Sequence, residues 1–442
     1  MSGRACSADG GVGDGRLVSL WHEVGADGRR LFVTRAVRLF ANGCLSVSLG
    51  LYLGRLGLSP AAIGLVLTAG LAGGAAATLG LGAVAHRIGR RRALVLTGVA
   101  TALGAVLLAT GRTVPVLALA TAIASTSPTG QDVGPQPALE QAGIAGLVGG
   151  ARRTDAFAWY SLVGSLALAL GSLAAGATGL WHVRATVPLA AYELLIAVYG
   201  LAGLLGSVLY ARCSPGLDGP APVADGPRPL MGLHRSRGVV ALLAGLFSVD
   251  AFAGGIVAQG LVAYYFHLRF GLSLAALGPL FFATSLAAAG SYLAAARLAR
   301  RFGLLNTMVF THLPSNFLLM LVAAMPVWPL AALVLFLRNG LSQMDVPTRQ
   351  AYLMALVTPE ERSAAAGATG SARTAGAMLG PLVGGVALAS PVVGLPLLLG
   401  GGLKAVYDVA LYLVFRRVRL PDEAASPRRS GDGEPRAGSG AA

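Results

Sequence analysis

Long apolar runs alternate with short polar segments along almost the whole chain. A helix that crosses the roughly 30 Å hydrocarbon core of a bilayer needs about 20 mostly apolar residues, and the runs reach that length. They predict twelve membrane-spanning helices, numbered 1 to 12 in chain order: 33–54, 60–84, 93–111, 114–145, 156–178, 186–210, 238–266, 275–298, 304–325, 329–356, 362–389 and 394–415. The predicted fold is therefore an all-α polytopic membrane protein.

The pattern occurs twice in the chain. The segment Gly57–Gly64 reads GLSPAAIG, and Gly271–Gly278 reads GLSLAALG, an offset of 214 residues. Such a repeat predicts two six-helix halves, and duplicated sets of membrane helices are typical of solute transporters, whose substrate site lies where the halves meet. The predicted domains are a cytoplasmic N-terminal leader (1–32), an N-terminal six-helix half (33–210), a flexible cytoplasmic linker (211–237), a C-terminal six-helix half (238–416) and a disordered cytoplasmic tail (417–442).

Composition supports the membrane assignment. Charged residues make up 12% of the chain and the mean hydropathy is +0.68, whereas soluble chains carry about a quarter charged residues. The net charge of +15 is high enough for a nucleic-acid-binding protein. Because the basic residues are scattered between apolar runs rather than gathered on one face, nucleic acid is excluded as a partner.

The distribution of basic residues predicts the orientation. With the N-terminus in the cytoplasm, 24 of the 34 basic residues fall on cytoplasmic segments and only Arg55, Arg112, Arg184 and Arg269 fall on outer loops. Cytoplasmic loops of membrane proteins carry the excess of Lys and Arg. We therefore expect a multi-pass protein of the cell (plasma or inner) membrane with both termini in the cytoplasm.

Motifs of soluble chemistry are absent from the sequence. The three cysteines form no CxxC or Cys/His cluster, which predicts neither a disulfide framework nor a metal site. There is no P-loop, HExxH or nucleophile elbow, so we expect no cofactor and no enzymatic activity. An ion gradient is then the expected energy source.

The loop between predicted helices 2 and 3 reads GAVAHRIGRRR from Gly82 to Arg92. It resembles the cytoplasmic signature loop of the major facilitator superfamily, which has a glycine, an acid, a basic residue, a second glycine and a basic cluster. The matching gate residues are Gly82, His86, Arg87, Gly89 and Arg90. His86 stands where the family has the acid that helps latch the cytoplasmic side against a helix N-terminus. A neutral histidine cannot supply that attraction, so the latch is weaker here or uses other groups.

A second motif, GAMLGPLVGG, runs through predicted helix 11. Its marked residues are Gly376, Gly380, Pro381, Gly384 and Gly385. The pattern resembles one that antiporters of that superfamily carry in helix 5. The favoured interpretation is close helix packing through small residues with a proline kink, and antiport is not established by it.

Twelve charged residues lie inside the predicted helices. A charge at the bilayer centre costs roughly 2.5–3.5 kcal/mol on insertion scales, so each needs a partner or a purpose. The bases are Arg35, Arg38, Arg338, Arg349, Arg373 and Lys404, and the acids are Asp132, Glu140, Glu193, Asp250, Asp345 and Asp408. The equal numbers predict internal pairing and leave the charge of the substrate open.

Predicted helices 4 and 10 are interrupted at matching positions, where prolines and glycines surround Asp132 in one and Pro347 follows Asp345 in the other. Matched interruptions in two repeats indicate a transport site. In the family fold, helices 1, 4, 7 and 10 line the central cavity, which supports this interpretation. The alternative is that Asp345 and Arg349, four residues apart, satisfy each other.

Asp250 lies in the middle of predicted helix 7, too deep for its short side chain to reach water. Asp250 or Asp132 is the preferred proton-coupling acid, and the alternative is a fixed ion pair of Asp250 with Arg38, Arg338 or Arg373. The predicted substrate and coupling residues are Arg38, Asp132, Asp250, Arg338, Asp345 and Arg349.

Lys404 and Asp408, four residues apart on predicted helix 12, are expected to form a self-contained structural pair. His312 on predicted helix 9 is expected to be a buried, hydrogen-bonded histidine.

Together the pattern and the resemblance predict a secondary active transporter that moves a small organic solute by alternating access. Proton-coupled efflux is the preferred mode. The alternatives are a carrier for uptake or uniport and a non-transporting membrane sensor of the same fold. The expected partners are the solute, H⁺ and the lipid bilayer, and the expected oligomeric state is a monomer.

Overall fold

The structure is a computed structural model that describes residues 24–128, 134–148, 153–180, 188–218, 236–358 and 361–418. Within these ranges the regular structure is helical: fifteen α-helices and a short 3₁₀ turn at Pro215–Asp218. The helices are α1 (Gly25–Arg55), α2 (Pro60–Ile88), α3 (Arg90–Thr110), α4 (Val114–Ala124), α5 (Pro135–Leu147), α6 (Arg153–Leu180), α7 (Leu189–Ala211), α8 (Arg237–Ile256), α9 (Gln259–Phe270), α10 (Leu274–Phe302), α11 (Leu304–Ala324), α12 (Trp328–Ser342), α13 (Asp345–Leu356), α14 (Arg362–Leu388) and α15 (Leu395–Phe415).

The predicted all-α membrane fold is confirmed. Nine helical segments among the described residues are long and apolar enough to cross a membrane, and α4 is a shorter apolar helix. Large apolar side chains such as Leu79, Leu201 and Val406 are 72%, 63% and 64% exposed on the outside of the bundle, a surface suited to lipid rather than water. The total of twelve spans stays a prediction, in which helix 4 corresponds to α4 and α5, helix 7 to α8 and α9, and helix 10 to α12 and α13.

The first helix begins at Gly25, eight residues before the predicted start at 33. The carboxylate of Asp27 holds this extension in place, because it accepts hydrogen bonds from the backbone N–H and the hydroxyl of Ser214, at 3.0 and 2.5 Å. Leu31 and Phe32 are buried. The last residues of the predicted leader are therefore part of the N-terminal bundle.

Local signals set the junction between α2 and α3. Ser59 accepts a hydrogen bond from the N–H of Ala62, and Pro60 occupies the first helical position of α2, as expected for a capped helix start. At the other end a single residue, Gly89, separates the two helices with φ of +86°. Glycine is required there because L side chains rarely adopt that conformation.

The two halves meet at one end of the bundle, which we call the closed end. There Gly64 of α2 lies so close to Pro381 and Gly385 of α14 that a Cβ atom would overlap them, and Gly176 of α6 lies equally close to Gly278 of α10. Small residues permit this close backbone approach.

The halves separate at the opposite end, which we call the open end. Gly82 follows Gly64 by eighteen residues, and Gly367 precedes Gly385 by eighteen, which is five helical turns, so each pair shares one helix face. A Cβ atom on Gly82 or Gly367 would meet no atom within 4 Å. The faces of α2 and α14 that touch at the closed end are therefore apart at the open end, about 27 Å along the helices.

Candidate functional site

A cavity of about 420 Å³ lies between α8, α11, α12, α13, α14 and α15, with Leu71 of α2 on its opposite wall. This volume is within the range of roughly 300–1,000 Å³ that small-molecule sites occupy. Its charged and titratable lining residues are Asp250, His312, Arg338, Asp345, Arg349, Arg373 and Lys404. The cavity thus collects most of the intramembrane charges of the C-terminal half.

Helix interruptions shape the cavity. The break between α12 and α13 falls at Gln343 and Met344, close to the predicted position. A second break, between α8 and α9 at Val257 and Ala258, was not predicted. The Gly254-Gly255 pair before it is the only sequence signal, because no proline is present. The N–H of Gly260, just inside α9, donates to the carbonyl of Pro128 in the N-terminal half at 3.0 Å, so this break connects the two halves.

Three cations converge on the carboxylate of Asp250. Arg349 and Arg373 donate to Oδ2 at 3.1 and 3.2 Å, and the Lys404 ammonium donates to Oδ1 at 2.5 Å. Asp250 is 3% exposed. Of the three ion-pair partners proposed from the sequence, Arg373 contacts Asp250, whereas Arg38 lies in the other half and Arg338 makes no ion pair with it.

Asp345 and Arg349 also contact each other, at 2.8 Å across one turn of α13. Arg349 therefore bridges the two carboxylates of the cavity, and its guanidinium lies 5.4 Å from the ring centroid of Phe247. Asp345 and Arg349 thus pair with each other and also line the cavity, although the sequence left these two roles as alternatives.

The predicted self-contained pair of Lys404 and Asp408 is wrong. Lys404 contacts Asp250, and Asp408 instead accepts hydrogen bonds from His312 Nδ1 at 2.9 Å and Asn316 Nδ2 at 2.8 Å. Asp408 is fully buried, and two side chains of α11 supply its hydrogen bonds. The Lys404 ammonium instead contacts Asp250 on α8. Spacing along one helix could not reveal this, because the better partners come from other helices.

Arg338 lines the cavity without a carboxylate partner among the described residues. Its terminal nitrogen lies 3.5 Å from Oδ1 of Asn339, and its Nε is buried without a hydrogen-bond partner. Asp132, predicted to share this site, lies outside the described residues.

Charges of the N-terminal half form a separate cluster around Glu140. Arg38 contacts its carboxylate at 2.7 Å, Thr34 donates to it at 3.2 Å, and the hydroxyls of Tyr160 and Tyr210 donate as well. The cavity beside Arg38 measures only about 40 Å³, room for a water molecule but not for an organic solute. Arg38, predicted as a substrate residue, thus lies apart from the large cavity.

Residues 31–344 match the family model of the Major Facilitator Superfamily. The chain belongs to this family. As a member of the Major Facilitator Superfamily it is a multi-pass membrane transporter of small molecules, not an enzyme.

A curated relative in the yeast Saccharomyces cerevisiae, the uncharacterized membrane protein YJR124C, is 27% identical over 424 residues, which cover 88% of this chain and 94% of the relative. Among solved structures, the fold is similar to the nucleoside transporter NupG (TM-score 0.69, 15% identity, 88% of this chain and 99% of that chain). It is also similar to a D-xylose–proton symporter (TM-score 0.66, 15% identity, 87% and 97%). At these identities the solved structures show the fold alone.

An acid from the predicted linker lies at the superfamily's signature loop in this chain. Asp218, in the 3₁₀ turn that follows α7, accepts a hydrogen bond from the backbone N–H of Arg91 at 2.8 Å, at the start of α3. Arg90 donates to the carbonyl of Leu217 at 2.7 Å. Part of the predicted flexible linker is therefore docked on the loop. The side chain of His86 lies outside the described residues, Arg87 is exposed, and Gly82 faces open space.

The glycine motif of the superfamily lies at helix contacts in this structure. A Cβ atom on Gly376, Gly380 or Gly384 would overlap α8, and one on Gly385 would overlap α2. Pro381 lies inside α14 at the same contact. The geometry fits the packing interpretation of this motif.

Proposed function

We propose that this chain is a secondary active transporter that moves a small organic solute by alternating access and uses H⁺ as the coupling ion. The observation that carries the proposal is the 420 Å³ cavity, formed by helices of the C-terminal half with Leu71 of the other half opposite, which holds buried charges at broken helices. Unwound backbone at membrane depth is tolerated where it lines such a cavity, and solute sites of secondary transporters lie at these positions.

We place the open end in the cytoplasm. The excess of basic residues on the segments at that end, including Arg87, Arg90 and Arg91, supports this orientation in the cell membrane. The structure then corresponds to an inward-facing state. The outward-facing state requires the glycine contacts between α2 and α14, and between α6 and α10, to open, and the faces at Gly82 and Gly367 to approach.

Asp250 is our preferred proton carrier. It holds cations from α13, α14 and α15 at once. A proton on Asp250 removes its charge and weakens all three contacts in one step, which links protonation to the arrangement of three helices. Efflux in exchange for protons is the mode predicted from the sequence. Uptake together with protons is the alternative. It is favoured because the cations that hold Asp250 also line the cavity, so a proton on Asp250 frees them for a solute.

Proteoliposomes with an imposed pH gradient test the proposal. The purified protein is offered labelled organic acids, sugars, amino acids and organic cations. We expect the wild type to accumulate one class against its gradient, and Asp250→Asn to lose this accumulation but keep solute exchange. Asp155→Asn removes an exposed carboxylate outside the cavity and should behave like the wild type.

Two results would count against the proposal in different ways. Full uphill accumulation by Asp250→Asn would show that the coupling acid is wrongly assigned. Wild-type protein that is folded, as judged by a cooperative melt, yet neither accumulates nor exchanges any class would favour the non-transporting sensor.

A further inference from the structure

The cavity carries more positive than negative charge. Four cations line it, Arg338, Arg349, Arg373 and Lys404, against two carboxylates, Asp250 and Asp345. The buried Asp408 behind His312 adds a third negative charge. With His312 neutral, the described residues leave one positive charge without compensation. A cation is costly at membrane depth unless a partner of opposite charge is supplied.

The cavity also has more donors than acceptors. A guanidinium has five N–H donors, but Arg373 uses one of them on Asp250 and its side chain remains 33% exposed toward the cavity. Within the described part of the chain, Arg338 hydrogen-bonds to Asn339 at 3.5 Å, and its Nε is buried without a partner. The oxygens of Asp250 are already occupied by three cations. The missing component is therefore a group with several acceptor oxygens and a negative charge.

We propose that the cavity binds a small organic anion, whose carboxylate or phosphate oxygens contact Arg338, Arg373 and Lys404. The planar fork of an arginine matches both oxyanions. The organic part of the solute has an apolar wall to contact, formed by Leu71, Ala251 and Val257 among others. This inference rests on the proposed function, because it names the substrate class of the same site.

The same geometry joins the anion to a proton. Asp250 and the anion compete for Arg373 and Lys404, since both ligands are oxyanions. A proton taken up by Asp250 from water at the open end neutralises the competitor and frees these donors. The groups that face or surround Asp250 are Arg349 and Asp345 on α13, Arg373 on α14, Lys404, Tyr407 and Asp408 on α15, His312 on α11 and Arg338 on α12. All cations of this set attract the anion more strongly once Asp250 is neutral, so anion and proton bind together and cross together.

Calorimetric binding to the purified full-length protein, at pH 6 and pH 8, tests the inference. Two sets of probes each share a carbon scaffold of similar size and carry a carboxylate, a phosphate, no charge or an amine: gluconate, glucose 6-phosphate, glucose and glucosamine, and benzoate, phenyl phosphate, benzyl alcohol and benzylamine. We expect binding only by anions, in one set or both. The carboxylate and phosphate members show which oxyanion the site prefers. For the carboxylates, whose own charge is constant in this range, binding should tighten by up to roughly tenfold for each unit of decrease in pH.

Variants make the assignment specific. Arg338→Gln should weaken anion binding by roughly ten- to a hundredfold, the range for loss of one hydrogen bond to a charged group. Asp250→Asn should bind the anion tightly at both pH values, with the pH dependence gone. Arg297→Gln removes an exposed arginine of α10 outside the cavity and should match the wild type. Because the described residues include no ion-pair partner that the loss of Arg338 would leave behind, its variant should fold.

The inference is overturned if no anion binds, if glucose, glucosamine or an aromatic counterpart binds as tightly as the anions, or if Arg338→Gln binds them unchanged. A pH dependence retained in Asp250→Asn would overturn the proton linkage. Exchange of a neutral or cationic probe in proteoliposomes would refute the inference that the substrate is an anion, but it would support the proposed transport. Anion binding without exchange of any probe would refute the proposed transport, but it would support the inferred anion site.

Discussion

The closed end depends on the absence of a side chain at Gly385, and a single methyl group should destabilise it. A Cβ atom at this position would lie 2.8 Å from the Cα and 2.9 Å from the N of Gly64. These are backbone atoms of the other half and cannot rotate away, so Gly385→Ala must separate the helices. Overpacking of this kind costs about 1–3 kcal/mol. If the contact exists only in the inward-facing state, the equilibrium shifts toward the outward-facing state by roughly 5- to 150-fold.

Gly367→Ala is the matched control. It is the same substitution, on the same face of α14, but a Cβ atom there would meet nothing within 4 Å in this state. Alanine favours the helix by roughly 0.5–1 kcal/mol in both variants. That gain applies to both states, so it leaves the equilibrium between them unchanged. The clash at Gly385 disfavours the state in the structure, whereas a methyl group at Gly367 can clash only when the open end closes, so the control should show no added outward-facing population.

Spin-label distances measure the shift directly. Thr113 and Ser273 are exposed on closed-end loops of the two halves. Thr113→Cys and Ser273→Cys can carry the spin labels once Cys6→Ser has removed the one cysteine outside the described residues. We expect a single short distance in the wild type and a longer second population in Gly385→Ala. An unchanged distribution in that variant, in a protein with a normal melt, would refute the account of the closed end.

Two further predictions concern contacts of the N-terminal half. Glu140→Gln should destabilise the folded protein by about 3–5 kcal/mol, because it removes a fully buried carboxylate that pairs with Arg38 and accepts hydrogen bonds from two tyrosines. Glu193→Gln removes an exposed pair and should cost less than about 1 kcal/mol. Unfolding in detergent compares the two variants, and equal costs would contradict the assignment. Asp218→Ala should lower the free energy of unfolding by about 0.5–2 kcal/mol, because it removes the cap on α3. Hydrogen exchange at the Arg91 amide should become faster. Unaltered exchange there would show that the docked linker does not hold the loop.

The repeat and the apolar runs were sufficient to predict the membrane fold, because both are properties of sequence spacing alone. The breaks in predicted helices 4 and 10 were visible since proline and glycine mark them. The break between α8 and α9 has no proline, and it is supported by a contact from the N-terminal half, the carbonyl of Pro128. Such a contact leaves no local signal in the sequence.

The partners of the buried charges were the part that spacing could not reveal. Asp345 and Arg349 share a helix and were predicted as a candidate pair. Lys404 reaches Asp250 across 154 positions of the chain, and Glu140 finds two tyrosines on other helices. Pairing across helices depends on tertiary packing, so composition predicted that the charges pair but not with which partner.

The early start of α1 has the same origin. Asp27 and the residues around it read as a polar leader, because a polar N-terminal segment gives no periodic signal. In the structure they extend the helix, and Ser214, in the linker, donates two hydrogen bonds to the Asp27 carboxylate. A segment stabilised by a distant part of the chain is assigned correctly only once that partner is placed.

Labelling of one cavity residue tests the central claim most directly. Thr374 is exposed within the cavity, and Thr374→Cys, in the Cys6→Ser background, offers a thiol to membrane-impermeant reagents applied to either side of sealed vesicles. Cys44 and Cys213 are buried, and burial raises the pKa of the Cys213 thiol to about 11, so neither competes at neutral pH. We predict labelling from the cytoplasmic side in the wild type, and added labelling from the outer side in Gly385→Ala. Labelling from the outer side alone in the wild type, or no change in the variant, would contradict a cavity that opens alternately to the two sides.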